Sequence, residues 1–346
     1  MSGESILHVP LEGSYKGAAV PASFGDTRAE YLSLRRACGL FAMPWRAKLI
    51  VTGSDRVRWL NGMVTNNVRD LAASHGVYAF LLTAQGRIIA DMDVYQRGEY
   101  LLVVSDLAQI KTIYDTFDHF IIMDDVELKD VSDKLVSVGV VGPKSRDVLA
   151  SAGFIVPQLE PMQVAYLDWN DIGVSVARGG NPNYEACEIW LTPENAPKLQ
   201  EALTSAGATP VGHEALEIFR ISMGVPSYGK DIRERDLPQE TNQSHALHFV
   251  KGCYVGQEIV ERIRARGTVH RGFTGFLMNG DIPSPGTKVQ AGGKDVGEIT
   301  SATRVPTESG ESTIALGYLR REAGGPGTEV QIGGASALVS SLPFQI

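Results

Sequence analysis

Eight consecutive residues carry the clearest chemical signal in this sequence: Lys251-Gly252-Cys253-Tyr254-Val255-Gly256-Gln257-Glu258. Apolar residues at helical spacing follow this octet, which predicts a helix that begins at about Gly256. The positive end of the helix dipole and the cation of Lys251 both favour the thiolate form of Cys253, which is the nucleophilic form. Gly252 and Gly256 allow a ligand or another loop to approach the backbone closely. The alternative is a small cysteine buried in a glycine-rich bend.

Two aspartates form a second candidate site. Asp91 and Asp93 fall within a strand predicted from Ile88 to Tyr95, and residues two apart on a strand share one face. Two carboxylates on one face can steer proton transfer or stabilise a cation. The alternative is an aspartate exposed to water at the edge of a sheet.

The sequence has only three cysteines, and they lie far apart: Cys38, Cys187 and Cys253. An odd and small number of cysteines argues against a disulfide framework and indicates a reducing compartment, which we take to be the cytoplasm. Residues 1–10 lack the basic and apolar regions of a secretory signal. His245 and His248 could complete a metal set with Cys253, although such histidines near a surface loop are more often ordinary polar residues.

The chain has 346 residues, 43% of them hydrophobic, and a formal net charge of −8. This length predicts two or three domains, and no apolar run is long enough to span a membrane. The acidic balance disfavours general nucleic-acid binding. One stretch, called the basic segment below, has two acids and five cations: Lys251, Arg262, Arg264, Arg266 and Arg271. It is suited to a polyanionic ligand tail or to RNA, or it is the solvated face of a helix.

Strands, helices and hairpins alternate through the first two thirds of the sequence, which is typical of an α+β fold and not of a doubly wound sheet. Asp26 is predicted to cap a helix over 27–37, and Ser54 to cap a short helix that stops at Gly62. A hairpin turn is predicted at residues 84–87.

From Arg271 onward the pattern changes to short alternating runs separated by glycine turns. These runs predict a small β-barrel of about six strands. The change of pattern divides the chain into three predicted parts: residues 1–140, residues 141–268 with the octet, and residues 269–346.

Other motifs accompany the octet over residues 20–340: Asp55-Arg56, Trp59-Leu60-Asn61-Gly62, Thr65-Asn66-Asn67-Val68, Thr83-Ala84-Gln85-Gly86-Arg87 leading to Asp91, Gly142-Pro143, Gly212 to Arg220, Arg266-Gly267 and Ala315-Leu316-Gly317-Tyr318. In this combination the chain resembles the YgfZ branch of the folate-binding family that includes the glycine-cleavage T-protein, an aminomethyltransferase. The octet is similar to the signature of that branch. The resemblance implies a ring-like arrangement of two related α+β parts around a central tetrahydrofolate cavity, followed by the C-terminal barrel.

The resemblance also implies which residues meet the folate. Asp91 matches the acidic position beside the reactive folate nitrogens of T-proteins. Those proteins tend to carry paired acids there, whereas this chain has Ala90 before Asp91 and its second acid at Asp93. Asn66 is expected at the polar edge of the pterin, with turn capping as the alternative. The remaining expected contacts are Tyr184 at the position of the pterin-clamping glutamate, Glu185 one step away, Glu188 at a later acidic position, Arg220 (or a salt bridge there instead), Lys251 and Tyr254.

Two functions follow from this resemblance. YgfZ-type proteins support iron–sulfur enzymes and have been tied to tRNA modification. The first hypothesis is therefore a tetrahydrofolate-binding accessory protein for iron–sulfur cluster assembly or repair, with Cys253 as a reactive thiol and iron–sulfur proteins as partners. The second is an aminomethyltransferase that transfers a one-carbon unit to tetrahydrofolate. A third, an RNA-binding module that uses the basic segment, is disfavoured by the acidic net charge.

Overall fold

The computed structural model describes residues 13–267, 269–307 and 310–346, without the side chain of Arg266. The prediction made for residues 1–10 lies outside these described residues. The described α-helices are α1 (Thr27–Arg36), α2 (Arg56–Met63), α3 (Leu107–Phe120), α4 (Ser145–Ser151), α5 (Ala196–Ser205), α6 (His213–Ser222) and α7 (Gln257–Arg266). None of them has the length and hydropathy needed to cross a bilayer.

The described strands are, in the first half, β1 (Gly13–Tyr15), β2 (Ala18–Val20), β3 (Gly39–Ala42), β4 (Arg46–Thr52), β5 (Gly76–Leu82), β6 (Ile88–Gln96), β7 (Leu101–Asp106), β8 (Glu127–Asp130), β9 (Val136–Val141), β10 (Val164–Trp169), β11 (Ile172–Arg178), β12 (Ala186–Leu191) and β13 (Thr209–Pro210). The later strands are β14 (Arg271–Met278), β15 (Lys288–Ala291), β16 (Lys294–Thr307), β17 (Gly310–Arg320), β18 (Glu329–Ile332) and β19 (Ala335–Ser340).

The helix starts show how far local sequence decides structure. Asp26 caps α1 as predicted, because its carboxylate accepts hydrogen bonds from the first backbone N–H groups of the helix. The prediction that Ser54 caps α2 is wrong. Ser54 donates from its backbone N and its Oγ to Asp125, while Asp55 occupies the cap position. Gly62 does not stop this helix, which continues to Met63.

Gly256 occupies the N-cap position of α7, as the octet predicts. Its φ is +81°, which is a conformation that favours glycine. An added Cβ would also lie 2.5 Å from the carbonyl oxygen of Thr83. Glycine is therefore required here by both backbone conformation and close packing.

The described chain forms two compact units. Unit 1 comprises Met1–Leu81, Asp91–Leu216 and Val250–Gly252. Unit 2 comprises Leu82–Ala90, Glu217–Phe249 and Cys253–Ile346. Neither unit is a continuous stretch of chain.

Unit 1 is built on two sheets. One has the order β5-β6-β7-β4-β8, and the other has the order β10-β11-β12-β9-β3-β13. An apolar cluster joins the two sheets, with Leu102 and Val104 from the first and Val164 and Trp190 from the second. This arrangement confirms the α+β prediction, since helices and hairpins alternate around mainly antiparallel sheets.

Strand β3 was not predicted. The helix predicted over 27–37 ends at Arg36, and Gly39 begins β3. This four-residue strand pairs antiparallel with β9 and parallel with β13, so it lies inside the second sheet. Both partners are distant in sequence, since β9 starts at Val136 and β13 at Thr209, and four apolar residues alone have no strand periodicity that could reveal β3.

Unit 2 contains a closed six-stranded barrel in the order β14-β17-β16-β15-β18-β19, as predicted. Strand β16 is longer than the short runs that the sequence predicts and spans 14 residues. Its pairing with β17 shifts between Ile299 and Ser301. Such a bulge lets a strand bend around a barrel and breaks the alternation that marks strands in a sequence.

Arg220 is buried in unit 2, where the protein uses all five of its N–H donors. Nε and Nη2 donate to Glu217 at 3.0 and 2.7 Å, and Nη1 donates to Asp231 and to the Val225 carbonyl, each at 2.6 Å. Nη2 also donates to Ser301 at 3.0 Å. A guanidinium has five such donors. The salt-bridge alternative is present in the structure, and a ligand contact by Arg220 stays a prediction.

We expect Arg220→Met to lower the free energy of unfolding by about 3–5 kcal/mol, because it leaves the fully buried carboxylate of Asp231 without its cation. Urea denaturation checks this value. The matched control is Arg304→Met on β16, whose ion pair with Glu311 is long and exposed and should be worth under about 1 kcal/mol. Equal effects of the two substitutions would contradict a structural role for Arg220.

Candidate functional site

Asp91 lies on β6 in unit 1, and two neutral groups hold its carboxylate. Tyr78 Oη donates to Oδ2 at 2.7 Å, and Gln109 Nε2 donates to Oδ1 at 2.8 Å. The side chain of Gln109 also accepts a hydrogen bond from the backbone N of Asp91 at 2.9 Å. Gln109 therefore brackets this residue and fixes both its backbone and its side chain.

Asp93 lies on the same face of β6 as Asp91, because the buried Met92 and Val94 alternate with the two aspartates. This confirms the predicted shared face. The environment of Asp93 is different, however. Its Oδ2 lies 2.6 Å from Nη2 of Arg46, a residue at the start of β4.

Arg46 connects the two sheets of unit 1. Besides Asp93 on the first sheet, it binds Glu188 on β12 of the second sheet, with 3.2 Å between Nε and Oε2. Its Nη1 lies 3.9 Å from Asp106 at the end of β7. Three carboxylates thus converge on one guanidinium, which is at most a sixth exposed.

The second oxygen of Glu188 is also held by the protein. Its Oε1 accepts hydrogen bonds from Ser137 Oγ at 2.6 Å and from Trp190 Nε1 at 2.7 Å. Lys48 Nζ donates in turn to Ser137 at 2.5 Å. We call Arg46, Asp91, Asp93, Asp106 and Glu188 the charged network.

The surroundings shift the pKa values of Asp91 and Glu188 in opposite directions. Burial raises the pKa of Asp91, and the charge of Asp106 raises it further, against the hydrogen bonds from Tyr78 and Gln109. Burial acts in the same direction on Glu188, but Arg46 and Lys48 outweigh it and lower the pKa of that carboxyl. Pairs of acids with opposite shifts are typical of sites that need one proton donor and one fixed anion.

Lys16 and Tyr184 lie at the Asp91 end of the charged network. Lys16 pairs with Asp106 at 2.8 Å, and its charge also acts on Asp91. Burial raises the pKa of Tyr184 to about 12, while the charge of Lys16 opposes that rise. The phenol of Tyr184 therefore stays protonated at neutral pH and can donate a hydrogen bond.

Glu185 and Asn66 lie elsewhere in unit 1. Glu185 pairs with Arg178 at 3.2 Å and with Arg146 at 3.8 Å, and these three residues line a separate small cavity. Asn66 donates from Nδ2 to the carbonyl of Tyr78 at 2.8 Å, and its Oδ1 accepts from the backbone N of Asn67. The bond from Asn67 is local, as in the turn-capping alternative, and a pterin contact by Asn66 stays a prediction.

Lys251 is buried in unit 1, where its ammonium donates to the backbone carbonyl of Asn61. The Asn61 amide donates to the carbonyl of Lys251 and accepts from the backbone of Val68. These contacts tie the first residue of the octet to α2. The ammonium thus serves the fold, and a ligand contact by Lys251 remains a prediction.

Cys253 and Tyr254 belong to unit 2. Cys253 is a free, exposed thiol, so the alternative of a cysteine buried in a bend is wrong. Tyr254 is buried, and burial raises its pKa to about 12. His245 and His248 do not complete a metal set with Cys253, since the described residues contain no group of three ligands suited to a metal ion.

Three cations of the basic segment carry carboxylate partners. Arg262 pairs with Glu258 at 2.6 Å, Arg264 lies 3.5 Å from Glu261, and Arg271 binds buried acids of unit 2. This pairing favours the solvated helix face over a free polyanion surface for α7.

Several residues of the site were missed by the sequence analysis: Lys16, Arg46, Lys48, Tyr78, Asp106, Gln109 and Ser137. One signal was available. Lys48 stands between Ala47 and the apolar run 49–51 of β4, and a lysine in such surroundings needs a partner. The others come from separate elements and share no local pattern.

Comparisons with known proteins agree with this architecture. Residues 13–251 match the family model of the GCVT N-terminal domain, and residues 271–344 match that of the glycine cleavage T-protein C-terminal barrel domain. The chain belongs to the glycine cleavage T-protein family.

Curated T-protein relatives match over nearly the whole chain. An aminomethyltransferase of Rubrobacter xylanophilus is 30% identical over 337 residues, which cover 95% of this chain and 89% of the relative. One of Thermus thermophilus is 28% identical and covers 95% of this chain and 93% of its own length. The solved aminomethyltransferase T of Bartonella henselae has the same fold, with a TM-score of 0.86 at 22% identity, covering 96% of this chain and 93% of its own.

The buried Lys48 should make stability depend on pH. Burial lowers its pKa from 10.5 to about 8, against the opposing charge of Glu188. Between these two values the unfolded chain binds more protons than the folded one, so the free energy of unfolding rises with pH. We expect the difference between wild type and Lys48→Met to rise by up to about 1.4 kcal/mol per pH unit from pH 8 upward.

Denaturation at several pH values measures this difference. Lys111→Met removes an exposed lysine of α3 and should give a difference that is flat with pH. A flat difference for Lys48→Met as well would show that this lysine is charged throughout.

Proposed function

We propose that this member of the T-protein family binds tetrahydrofolate at the charged network and that Asp91 takes part in one-carbon transfer to it. The observation that carries the proposal is the bracketing of Asp91 by Tyr78 and Gln109 next to the cation-held Asp93. The curated aminomethyltransferase relatives support the same chemistry.

The donor set of the charged network suits a reduced pterin. An aminopyrimidinone edge carries N–H groups that carboxylates accept well, and its carbonyl accepts from a phenol. Asp91 and Tyr184 are the residues that would hold it, and both are only partly buried. Tetrahydrofolate, when bound, supplies nitrogens that accept a one-carbon unit.

Asp91 is suited to donate protons to such nitrogens and to accept protons from them. Its raised pKa brings the carboxyl closer to neutrality, where a group exchanges protons effectively. Gln109 and Tyr78 leave it little freedom to rotate, so the proton is held at a defined place. Glu188, whose pKa is lowered by Arg46 and Lys48, keeps a fixed negative charge that can stabilise a cationic intermediate.

Replacing Asp91 tests this proposal. We expect Asp91→Asn to lower the rate of methylene-tetrahydrofolate formation from an aminomethyl-lipoyl carrier by about 10²–10⁴-fold, because the amide cannot exchange the proton. Calorimetric titration with reduced folate should show weaker binding for Asp91→Ala.

The control is Asp118→Asn, which changes an exposed aspartate of α3. Wild-type protein that neither binds reduced folate nor forms the product would overturn the proposal. Folate binding without turnover would retain the binding site and reject the transferase.

A second function has one specific observation in its favour. Cys253 is exposed on a turn that precedes α7, whereas Cys38 is buried. An exposed thiol suits contact with an iron–sulfur client, as the resemblance to the YgfZ branch suggests. The second proposal is therefore a folate-binding accessory protein for iron–sulfur cluster assembly or repair, with a link to tRNA modification.

Cys253→Ala tests the accessory role in cells. We expect the activity of an iron–sulfur enzyme to fall while the variant stays folded, because an exposed side chain contributes little to stability. Cys187→Ala serves as a cysteine control, since burial raises the pKa of that thiol to about 11 and makes it unreactive. Full activity of the iron–sulfur enzyme in cells that carry Cys253→Ala would contradict a role of this thiol.

A further inference from the structure

A second candidate site lies in unit 2, beside the barrel. A cavity of about 350 Å³ is lined by residues of β14, β15, β16 and β17 and by Arg235, which precedes these strands in the sequence. Its lining includes four cations, Arg235, Arg271, Lys288 and Arg320, but only two acids, Asp295 and Glu298. This excess of cations stands out in a chain whose net charge is −8.

Three of the four lining cations share one carboxylate. Glu298 contacts Lys288 at 3.7 Å and Arg271 at 3.9 Å, pairs with Arg235, and also binds Arg233, which lies outside the lining, at 2.7 Å. Arg320 pairs instead with Glu322 at 3.6 Å. Among the described ion pairs, Arg235 and Lys288 have Glu298 as their carboxylate, and its single charge cannot neutralise both, so this side of the cavity attracts anionic groups.

The cations differ in mobility. Arg271 is fixed, because it also binds Asp236 at 2.7 Å and Glu240 at 3.0 Å and stacks on the ring of Tyr318 at 4.6 Å. It forms a wall of the cavity.

Three other cations can move toward a ligand. The side chains of Arg235, Lys288 and Arg320 are 58%, 56% and 59% exposed. Such side chains can turn to a ligand without disturbing the fold.

We propose that this cavity binds a small phosphate-bearing molecule, a phosphomonoester or a diphosphate, through Arg235, Lys288 and Arg320. Two guanidinium forks match the geometry of phosphate oxygens, and a lysine adds a mobile point charge. The volume falls at the lower end of the range for small-molecule sites. The residues of this site all belong to unit 2, so the proposal does not depend on the function assigned to Asp91.

Calorimetric titration of the full chain with inorganic pyrophosphate tests the site. We expect binding by the wild type at low salt, weakened about tenfold or more in Arg235→Ala/Arg320→Ala, since both phosphate forks are lost. Raising the ionic strength should weaken the wild-type interaction because the contacts are exposed. The matched control, Arg304→Ala, removes an exposed arginine of β16 outside the lining and should bind like the wild type.

Glu298→Gln gives an opposite expectation. The neutral amide no longer competes for Arg235 and Lys288, so pyrophosphate should bind more tightly than to the wild type. Circular dichroism checks that this variant is folded, and the arginine variants carry the test if it is not.

Two further probes define the ligand. ADP distinguishes a nucleotide from free phosphates, since tighter binding than pyrophosphate assigns the site to nucleotides and equal binding assigns it to the phosphates alone. Citrate, a tricarboxylate, should bind more weakly than pyrophosphate. Undetectable pyrophosphate binding, equal binding by the arginine variants, or a preference for citrate would each overturn the proposal.

Discussion

The guanidinium of Arg46 is the contact on which the candidate site depends. It lies between Asp93 of one sheet and Glu188 of the other, at 2.6 and 3.2 Å. A buried ion pair contributes little net stability, but loss of one partner leaves an uncompensated charge that is costly. The two sheets of unit 1 must therefore keep the relative position that brings these three groups together. The rings of Tyr95 and Trp190, one from each sheet, also pack against each other.

This arrangement gives the acids around Arg46 different environments. Asp93 and Glu188 both bind Arg46, whereas Asp91 has Tyr78 and Gln109 as its closest partners. Burial raises the pKa of Asp91, and also that of Asp93 against the charge of Arg46, while Arg46 and Lys48 lower the pKa of Glu188 and keep it an anion. A site for proton transfer beside a cationic intermediate needs this combination, which is why the proposed one-carbon chemistry centres on Asp91.

Unit 2 uses charge mainly to build structure. Asp231 and Asp236 are fully buried, and each has an arginine partner, Arg220 and Arg271 respectively. The octet also contributes to the fold. Lys251 contacts α2, and Gly256 begins α7, while the thiol of Cys253 is exposed.

The sequence by itself determined the local features of this protein. The Asp26 cap, the shared face of Asp91 and Asp93, the helix after Gly256 and the presence of six strands in the barrel all follow from neighbouring residues. The family could also be inferred from the sequence, since its motifs lie in short contiguous stretches.

Only the tertiary structure decided which charges meet. Arg46, Asp93 and Glu188 come from three strands up to 142 positions apart, and the sequence left a ligand and a salt bridge open for Arg220, whose acid partners only the structure identifies. Strand β3 was missed for the same reason, because its pairing partner β9 supplies what its four residues lack. Periodicity and capping are set by contacts within a few residues. The partner of a buried charge or of a short strand is set by packing between distant segments, which no local pattern records.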